Sequence, residues 1–519
     1  MRLIDIHAFL LLITIEILIV SADKPCAARQ ISGRSVVCVC NETYCDELVR
    51  QVPSHGQYVY YISSEEGLRF KKTNGHLEED SDTKCCPTTI TLDPLTKYQR
   101  IEGFGGAVTD AAGINWKSLP EVLQKYLVSS YASDVGLQYN ILRVPIGGTD
   151  FSTHPYAYNE LPVNDTQLTN YTLAPEDFNY KIPFIKALMT EAKAPIKVLS
   201  TTWSPPIWMK TNNAWSGFSR LRKEYYQTYA DYHVKFIEKY EAAGIPIWAI
   251  TTTNEPIDGV FNIAQFNTLG WSIQAMGDWI ANNLGPTIRN STHKNVKIFV
   301  GDDQRFTIPF WFNVMIRDSP KSLDYIDGIA VHFYTDKFIP ASVFSVVTDT
   351  YPDKMILATE ACEGSFPWQE NKVELGSWSR AVSYITDIME DINHNVAGWI
   401  DWNMCLNEQG GPNWVQNYVD SPIIVNASGK EFVKQPMYYA LGHVSKFVPR
   451  DSVRIKLTEN KPLFSSSVQS MAFLTPSQTI VLVMYNKNSE RSVKVRIGTQ
   501  SATVLLKAHS ITTVELMLE

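Results

Sequence analysis

From about residue 98 to residue 403 the chain repeats one couplet, a short apolar run with polar or aromatic residues at its end, then a stretch with helical spacing. The runs are YQRIEGFGGA, YNILRVPIGGTDF, IKVLSTTWSPP, IPIWAITTTNEP, VKIFVGDDQR, DGIAVHFYTD, KMILATEACEG and VAGWIDWN. Parallel strands need long crossovers, and helices supply them. Eight such couplets in series therefore predict an α/β chain closed into a (β/α)8 TIM barrel. Barrels of this kind gather their catalytic groups at the C-terminal ends of the strands.

The strand ends carry Arg143 and Asp150, Trp203, Glu255, Asp302-Asp303-Gln304, His332 and Tyr334, Glu360, then Asp401-Trp402. The fourth and seventh runs both finish on glutamate. A single one, in TTTNEPIDG, reads as a turn residue facing water, because burying an unpaired carboxylate is costly. Two glutamates on one rim mean more, since opposed carboxylates can attack and protonate the two sides of a glycosidic bond.

Rival constellations are thinner. GFGG (103–106) lacks the G-x-G-x-x-G spacing and reads as a tight turn at a strand end, so no nucleotide cofactor is expected. Asp302-Asp303 has no oxygen-rich loop or spaced histidines around it, and no metal is expected. Cys362 follows Glu360 closely, but the spacing identifies no histidine partner for a thiol nucleophile. His233 shares helical spacing with Tyr229, Phe236 and Tyr240 in YADYHVKFIEKYEAAG, and is expected as a packed helix residue.

The chain has 519 residues, 45% hydrophobic and 19% charged, enough for one large domain and one or two smaller ones. Arg2, the apolar run 9–20 and Val20-Ser21-Ala22 predict a secretory signal peptide over 1–22. Five N-x-S/T sequons follow, at Asn41, Asn164, Asn170, Asn290 and Asn426. Cys26, Cys38, Cys40 and Cys45 crowd the mature N-terminus and predict two local disulfides, with zinc disfavoured by the spacing. Cys362 and Cys405 are expected as free thiols, and the pairing of Cys85 and Cys86 is left open. Near the C-terminus, SVQSMAFL, TIVLVMYN, SVKVRIG and ATVLLKAHSITTVELML predict a β-sandwich.

The formal charge is −8, and loss of Arg2, Asp5 and Glu16 with the leader leaves −7. No basic run supports nucleic-acid binding. Protonating the nine remaining histidines would carry −7 to +2. The plainer reading is of ordinary surface histidines without such a role; the other is that the loss of negative charge lets the protein approach anionic lipid in an acidic compartment.

GFGGAVTDAA, YNILRVP, WSPPIWMKTN, TTTNEP, DDQR, GIAVHFY, ATEACEG, GWIDWN and GGPNWVQNYVDSPIIV occur in the order found in glycoside hydrolase family 30. Over nearly the whole mature chain, these motifs and the four-cysteine N-terminus resemble the glucosylceramidases of that family. The resemblance implies a retaining β-glucosidase that splits glucosylceramide, with Glu255 as acid/base and Glu360 as nucleophile. It implies that Asn254 holds the sugar's 2-hydroxyl and that Asp150 and Trp203 grip its far edge. Trp402 and Asn417 would make further contacts, while Arg143 and Tyr334 would orient the nucleophile.

It further implies disulfides Cys26–Cys38 and Cys40–Cys45, which also close short loops. The architecture implied is a barrel over 98–403 and 437–451, a β-sandwich over 50–97 and 452–519, and a small disulfide-bonded antiparallel sheet over 23–49 and 404–436. A lysosomal destination, anionic lipid and a saposin-type activator are implied as well, with secretion as the alternative; the oligomeric state is unread. Phe333 departs from the tryptophan of the pattern, and Ala264-Gln265 from its aromatic and proline, which bears on the lipid side of the substrate. The alternatives are a related retaining glycosidase on another β-glycoside, or an inactive carbohydrate- or lipid-binding relative.

Overall fold

The computed structural model describes residues 23–80, 86–463, 465 and 467–518; the leader read at 1–22, and Cys85, lie outside them. Eight parallel strands close into a barrel: β1 (Gly103–Ala107), β2 (Ile141–Ile146), β3 (Lys197–Thr202), β4 (Ile247–Thr251), β5 (Lys297–Gln304), β6 (Gly328–His332), β7 (Met355–Glu360) and β8 (Val396–Asp401). Closure runs through β8 and β1, with Asp401 opposite Gly106. Ile141, Leu199, Ala249, Phe299, Ala330, Leu357, Ala397 and Ile400 form a separate apolar cluster drawn from seven of the eight strands. Apolar residues thus occupy the strand bodies, and the polar residues are left for the C-terminal rim.

Two local readings change. GFGG is barrel strand β1 itself and not a turn. Its glycines serve close approach, since a Cβ on Gly105 would stand 1.7 Å from the Ile141 carbonyl oxygen. Strand β4 stops at Thr251, four residues short of Glu255, and does not run on to the glutamate as the sequence reading has it. The chain from there to Glu255 is irregular but pinned: Asn254 N–H donates to the Thr202 carbonyl and Glu255 N–H to that of Asp302, both at 2.9 Å.

Helices cover the barrel with apolar stripes. In Trp378–Asn393 the buried residues Ala381, Tyr384, Ile385, Ile388 and Ile392 recur at three- and four-residue spacing. In Tyr226–Ala242, His233 is fully buried, its Nδ1 is 2.8 Å from the Tyr229 carbonyl, and burial pushes it down to about 4. It is a packed helix residue.

Outside the barrel, Ala28–Gln30, Val36–Asn41, Glu431–Lys434, Ile423–Asn426 and Cys405–Asn407 form a five-stranded sheet in that order. Its pairs are antiparallel except the last, where Cys405–Asn407 joins in parallel. Disulfides Cys26–Cys38 and Cys40–Cys45 staple its N-terminal part. Cys362 and Cys405 are buried free thiols.

The β-sandwich is one ten-stranded sheet doubled over. The Tyr58 hydroxyl, on Gln57–Ser64, donates across the fold to the Thr503 carbonyl on Gln500–Leu506 at 3.3 Å. Leu482, Met484, Val493, Val495, Val504 and Val514 share the core between. Helix Pro436–Ser445 joins this module to the barrel: His443, fully buried, bridges the Ser63 and Thr513 hydroxyls at 2.8 and 2.9 Å. No helix among the described residues is long and apolar enough to cross a membrane. Asn41, Asn164, Asn170 and Asn290 are exposed, and Asn426 is half-buried.

Candidate active site

The C-terminal rim holds a cleft of about 720 Å³ lined by Asp150, Trp203, Asn254, Glu255, Tyr334, Glu360, Trp402 and Asn417 among others. Arg143 lies fully buried beneath it. The nine residues to which the family resemblance gives roles therefore converge on one place.

Glu360 ends β7 with both oxygens occupied. Arg143 Nη1 donates to Oε2, and the Tyr334 hydroxyl donates to Oε1 at 2.7 Å. A carboxylate accepting from a guanidinium and a phenol is held in its charged form. Burial, with the charge of Glu255 adding to it, raises this carboxyl above its ordinary value, and the cations His332 and Arg143 and the Tyr334 hydroxyl pull the other way. Arg143 Nη2 also donates to Asn254 Oδ1 and Asp302 Oδ2, each at 2.8 Å, so the guanidinium ties β2, β5 and β7 to the NEP segment. It sits 4.9 and 5.4 Å from the ring centroids of Trp203 and Trp402. These two indoles stack on each other at 5.2 Å and 17°. Besides lining the cleft they are core aromatics, only 2% and 3% exposed.

Glu255 caps the short helix Pro256–Phe261 from a left-handed backbone conformation, φ 39° and ψ 63°. A non-glycine residue is rarely found there, and such strain gathers at functional sites. The two backbone bonds at Asn254 and Glu255 hold it. Its Oε1 accepts from Gln304 Nε2 at 2.8 Å and lies 2.8 Å from His332 Nδ1. Across the cleft, one oxygen of Glu255, one of Glu360 and a ring nitrogen of His332 all lie within 4.8 Å of one another.

His332 spans two carboxylates, since its Nε2 is 3.0 Å from Asp302 Oδ1. Burial works to lower its pKa, but the charge of Glu360 and the bonds to Asp302 and Glu255 lift it to about 10. Asp302 goes the other way: Arg143, His332 and Thr359 overcome its burial and hold it well below the usual carboxylate range. Asp302 is thus the buried anion that pairs both cations of the site. The sequence showed it only as half of a DD pair.

A cation could be coordinated only by groups with lone pairs to spare. In the Glu255–His332–Glu360 cluster His332 has none to give, because both its ring nitrogens already engage carboxylates. Asp336, Asp387 and Asp391 form another acidic group, but the fully buried Arg305 guanidinium fills it. The third group includes Cys40 and Cys45, which are joined to each other.

At the far edge of the cleft Asp150 accepts from Asn413 Nδ2 at 3.0 Å and Asn417 Nδ2 at 3.1 Å. Burial raises it to about 7, against the bond from Asn417. The Gly/Pro/Asn-rich excursion after β8 therefore reaches back to complete the site. Asn413, Gln304, His332 and Asp258 were not picked out as site residues from sequence. For Asp258 a signal existed: it follows Glu255 by three residues, one helical turn, on the same face. Asp401, beside Trp402, turns away and accepts from the Tyr384 hydroxyl at 2.6 Å.

Comparison with known proteins agrees with this geometry. Residues 101–448 match the glycosyl hydrolase family 30 TIM-barrel domain and 451–514 match the beta sandwich domain of the same family. The chain is 40% identical over 473 residues to lysosomal acid glucosylceramidase of Mus musculus, covering 90% of each chain. It is 41% identical over 474 residues to putative glucosylceramidase 4 of Caenorhabditis elegans, covering 90% of this chain and 89% of that one. The crystal structure of SrfJ from Salmonella typhimurium superposes with a TM-score of 0.81 at 24% identity, over 89% of this chain and 100% of that one. With the two family models matched along the chain and relatives at 40% and 41% identity over 90% of it, the chain belongs to glycosyl hydrolase family 30.

Proposed function

We propose that this glycoside hydrolase is a retaining β-glucosidase acting on glucosylceramide. The observation that carries the reading is the approach of Glu255 and Glu360 oxygens to within 4.8 Å across the cleft. Retaining enzymes hold their carboxyl groups about 5–5.5 Å apart, whereas inversion needs about 6.5–9.5 Å to admit a water. Glu360, held as a carboxylate by Arg143 and Tyr334, attacks the anomeric carbon. Glu255 gives its proton to the departing oxygen. The covalent glucosyl ester then opens when water attacks the same carbon, Glu255 taking the water's proton and Glu360 leaving as carboxylate. Asp150 and Asn417 receive hydroxyls at the far edge, and Asn254, its carbonyl held by Arg143, meets the 2-hydroxyl.

The lipid side of the substrate would follow the segment Ile263–Phe266, which lines the same cleft. Working in the lysosome on membranes with anionic lipid and a saposin-type activator fits the mouse relative's name and the chain's loss of negative charge on acidification. That change is smaller than nine histidines would give, because burial keeps His233 and His443 neutral and His332 is already charged. The division into 23–49 with 404–436, 50–97 with 452–519 and 98–403 with 437–451, and glycans at the five sequons, belong to the same proposal.

The test is substrate choice and rescue. Glucosylceramide should be cleaved in preference to galactosylceramide, and a soluble aryl β-glucoside should also turn over. Glu360→Gln should be inactive on every substrate. Glu255→Gln should keep the first step on activated leaving groups, and azide should restore rate. Equal loss in both variants without rescue would refute the assigned roles.

A further inference from the structure

The cleft has a polar edge and an apolar one. Asp150, with Asn413 and Asn417, makes the polar edge beyond β2, and in a closed barrel of eight strands the one facing β2 is β6. On that opposite side the cleft is lined by Phe306, from the loop after β5, and Phe366, from the loop after β7. Phe366 is buried, and its own loop holds its backbone: its N–H donates to Gln369 Oε1 at 3.1 Å and its carbonyl accepts from Gln369 N–H at 3.0 Å. The exposed Trp368 stacks on its ring, with centroids 4.7 Å apart and planes at 11°. The ring is also gripped from a second loop. Lys337, three residues after Tyr334 in the loop after β6, holds its ammonium 4.8 Å from the Phe366 ring centroid and 4.0 Å from Glu363 Oε1.

Glu363 is why that lysine matters. It is 2% exposed; Gln369 Nε2 donates to its Oε2 at 2.6 Å, while Oε1 accepts no hydrogen bond, and no other cation pairs with it among the described residues. A buried carboxylate left without a partner is costly. An ammonium is also attracted to an aromatic face. One half-exposed amine thus serves both groups. The plainer reading, a surface lysine without consequence, leaves Glu363 unpaired in the interior.

We propose that Phe366 forms a wall of the aglycone path on the side opposite Asp150, where it packs on the alkyl chain of a lipid aglycone, and that Lys337 is the positioning residue that holds it there. The proposal rests on the reading of the protein as a β-glucosidase for a lipid glucoside, and it adds a second wall to the segment Ile263–Phe266. With the sugar's hydroxyls taken at the polar edge, the departing group points toward the apolar one. Lys337 does not touch the substrate and acts through Phe366. Without it Glu363 must turn toward water, and Gln369, which bonds both Glu363 and the Phe366 backbone, carries that movement to the ring.

The experiment compares kcat/KM for n-octyl and ethyl β-glucoside, below the concentration at which the octyl glucoside forms micelles. Both leaving groups are primary alkoxides of similar basicity, so their ratio cancels the chemistry and any uniform loss of active protein, and reads aglycone contact alone. Each methylene that packs on an apolar wall raises the ratio about fourfold. Phe366→Ala should lower the octyl-to-ethyl ratio by about tenfold or more, and Lys337→Met by about threefold or more. Lys337→Arg keeps a cation for the ring and the carboxylate and should return the ratio to near the wild-type value. Because Lys337 acts through Phe366, adding K337M to F366A should change the ratio no further. A ratio that F366A or K337M leaves unmoved, or a K337M effect undiminished in the double variant, overturns the proposal. Should F366A prove insoluble, F366Q carries the same readout. Wild-type turnover of an aryl β-glucoside, run in parallel, tests the glucosidase reading by itself: its absence refutes that reading, and its presence beside an unmoved ratio refutes the wall alone.

Discussion

Tyr334→Phe removes one oxygen and leaves the ring in place. In the wild type that hydroxyl donates to Glu360 Oε1 at 2.7 Å and lies 3.4 Å from Cys362 Sγ. Arg143 keeps hold of the other carboxylate oxygen in the variant, so Glu360 loses one of its two donors and not its charge partner. A hydrogen bond to a charged group is worth about 1.5–3 kcal/mol. At about 1.4 kcal/mol per decade, the loss in kcat/KM should lie between about 10- and 150-fold if the bond matters most when Glu360 attacks. The sign of the pH effect is fixed. The phenol stabilises the charged form of Glu360, so its removal raises the nucleophile's pKa. The acid limb of the bell should move to higher pH by about one unit, 1.36 kcal/mol being one pKa unit. The assay is the pH profile of kcat/KM on a soluble aryl β-glucoside, with thermal unfolding as the control for folding. A unchanged acid limb, or one moved to lower pH, would refute the claim that Glu360 works as a carboxylate held by Tyr334.

This prediction needs Tyr334 and Glu360 in contact, which the sequence alone does not deliver. What was legible is regular: eight couplets, polar residues at the strand ends, a glutamate at the end of β7. What was not legible depends on partners far along the chain. The left-handed turn at Glu255 is set by the carbonyls of Thr202 and Asp302, and no local propensity announces it. Asn413 and Asn417 reach Asp150 from more than 250 residues away. Asp302 is legible as an acid but not as the partner of two cations, because burial and pairing are tertiary facts. GFGG was misread for a related reason: the demand for glycine comes from the neighbouring strand, not from a turn. The sandwich was legible as strands; its doubling over required the pairing of Thr88–Arg100 with Val453–Asn460, which no local pattern encodes.

Other consequences are open to measurement. His332 is protonated in the fold to about pH 10 against 6.5 for the free side chain, so its contribution to stability is present below about pH 6.5 and is lost as pH rises toward 10. Wild-type Tm should fall over that window and His332→Gln should flatten the fall; a parallel decline in both would contradict it. Asp302→Ala strands Arg143 and His332 in the interior and should destabilise the fold by about 3–5 kcal/mol in denaturant unfolding, a loss within about 1 kcal/mol being the contrary result. Asn417→Ala removes a donor to Asp150 at the edge of the cleft and should raise KM for the aryl glucoside with little change in Tm; an unchanged KM would remove Asn417 from the sugar site. Liposomes with anionic lipid should bind the protein more strongly at about pH 5 than at about pH 7, and added salt should weaken that binding, while indifference to both would remove the electrostatic part of the membrane reading.

The central claim is that a covalent glucosyl–enzyme forms on one named carboxylate. An activated 2-deoxy-2-fluoro-β-glucoside slows both steps by withdrawing charge from the oxocarbenium-like transition state, and the good leaving group lets the first step outrun the second. Peptide mapping by mass spectrometry after such an incubation should find one fluoroglucosyl adduct, on the peptide bearing Glu360 and on that residue by fragmentation. An adduct on Glu255, or turnover that yields the inverted sugar with no adduct at all, would contradict the account.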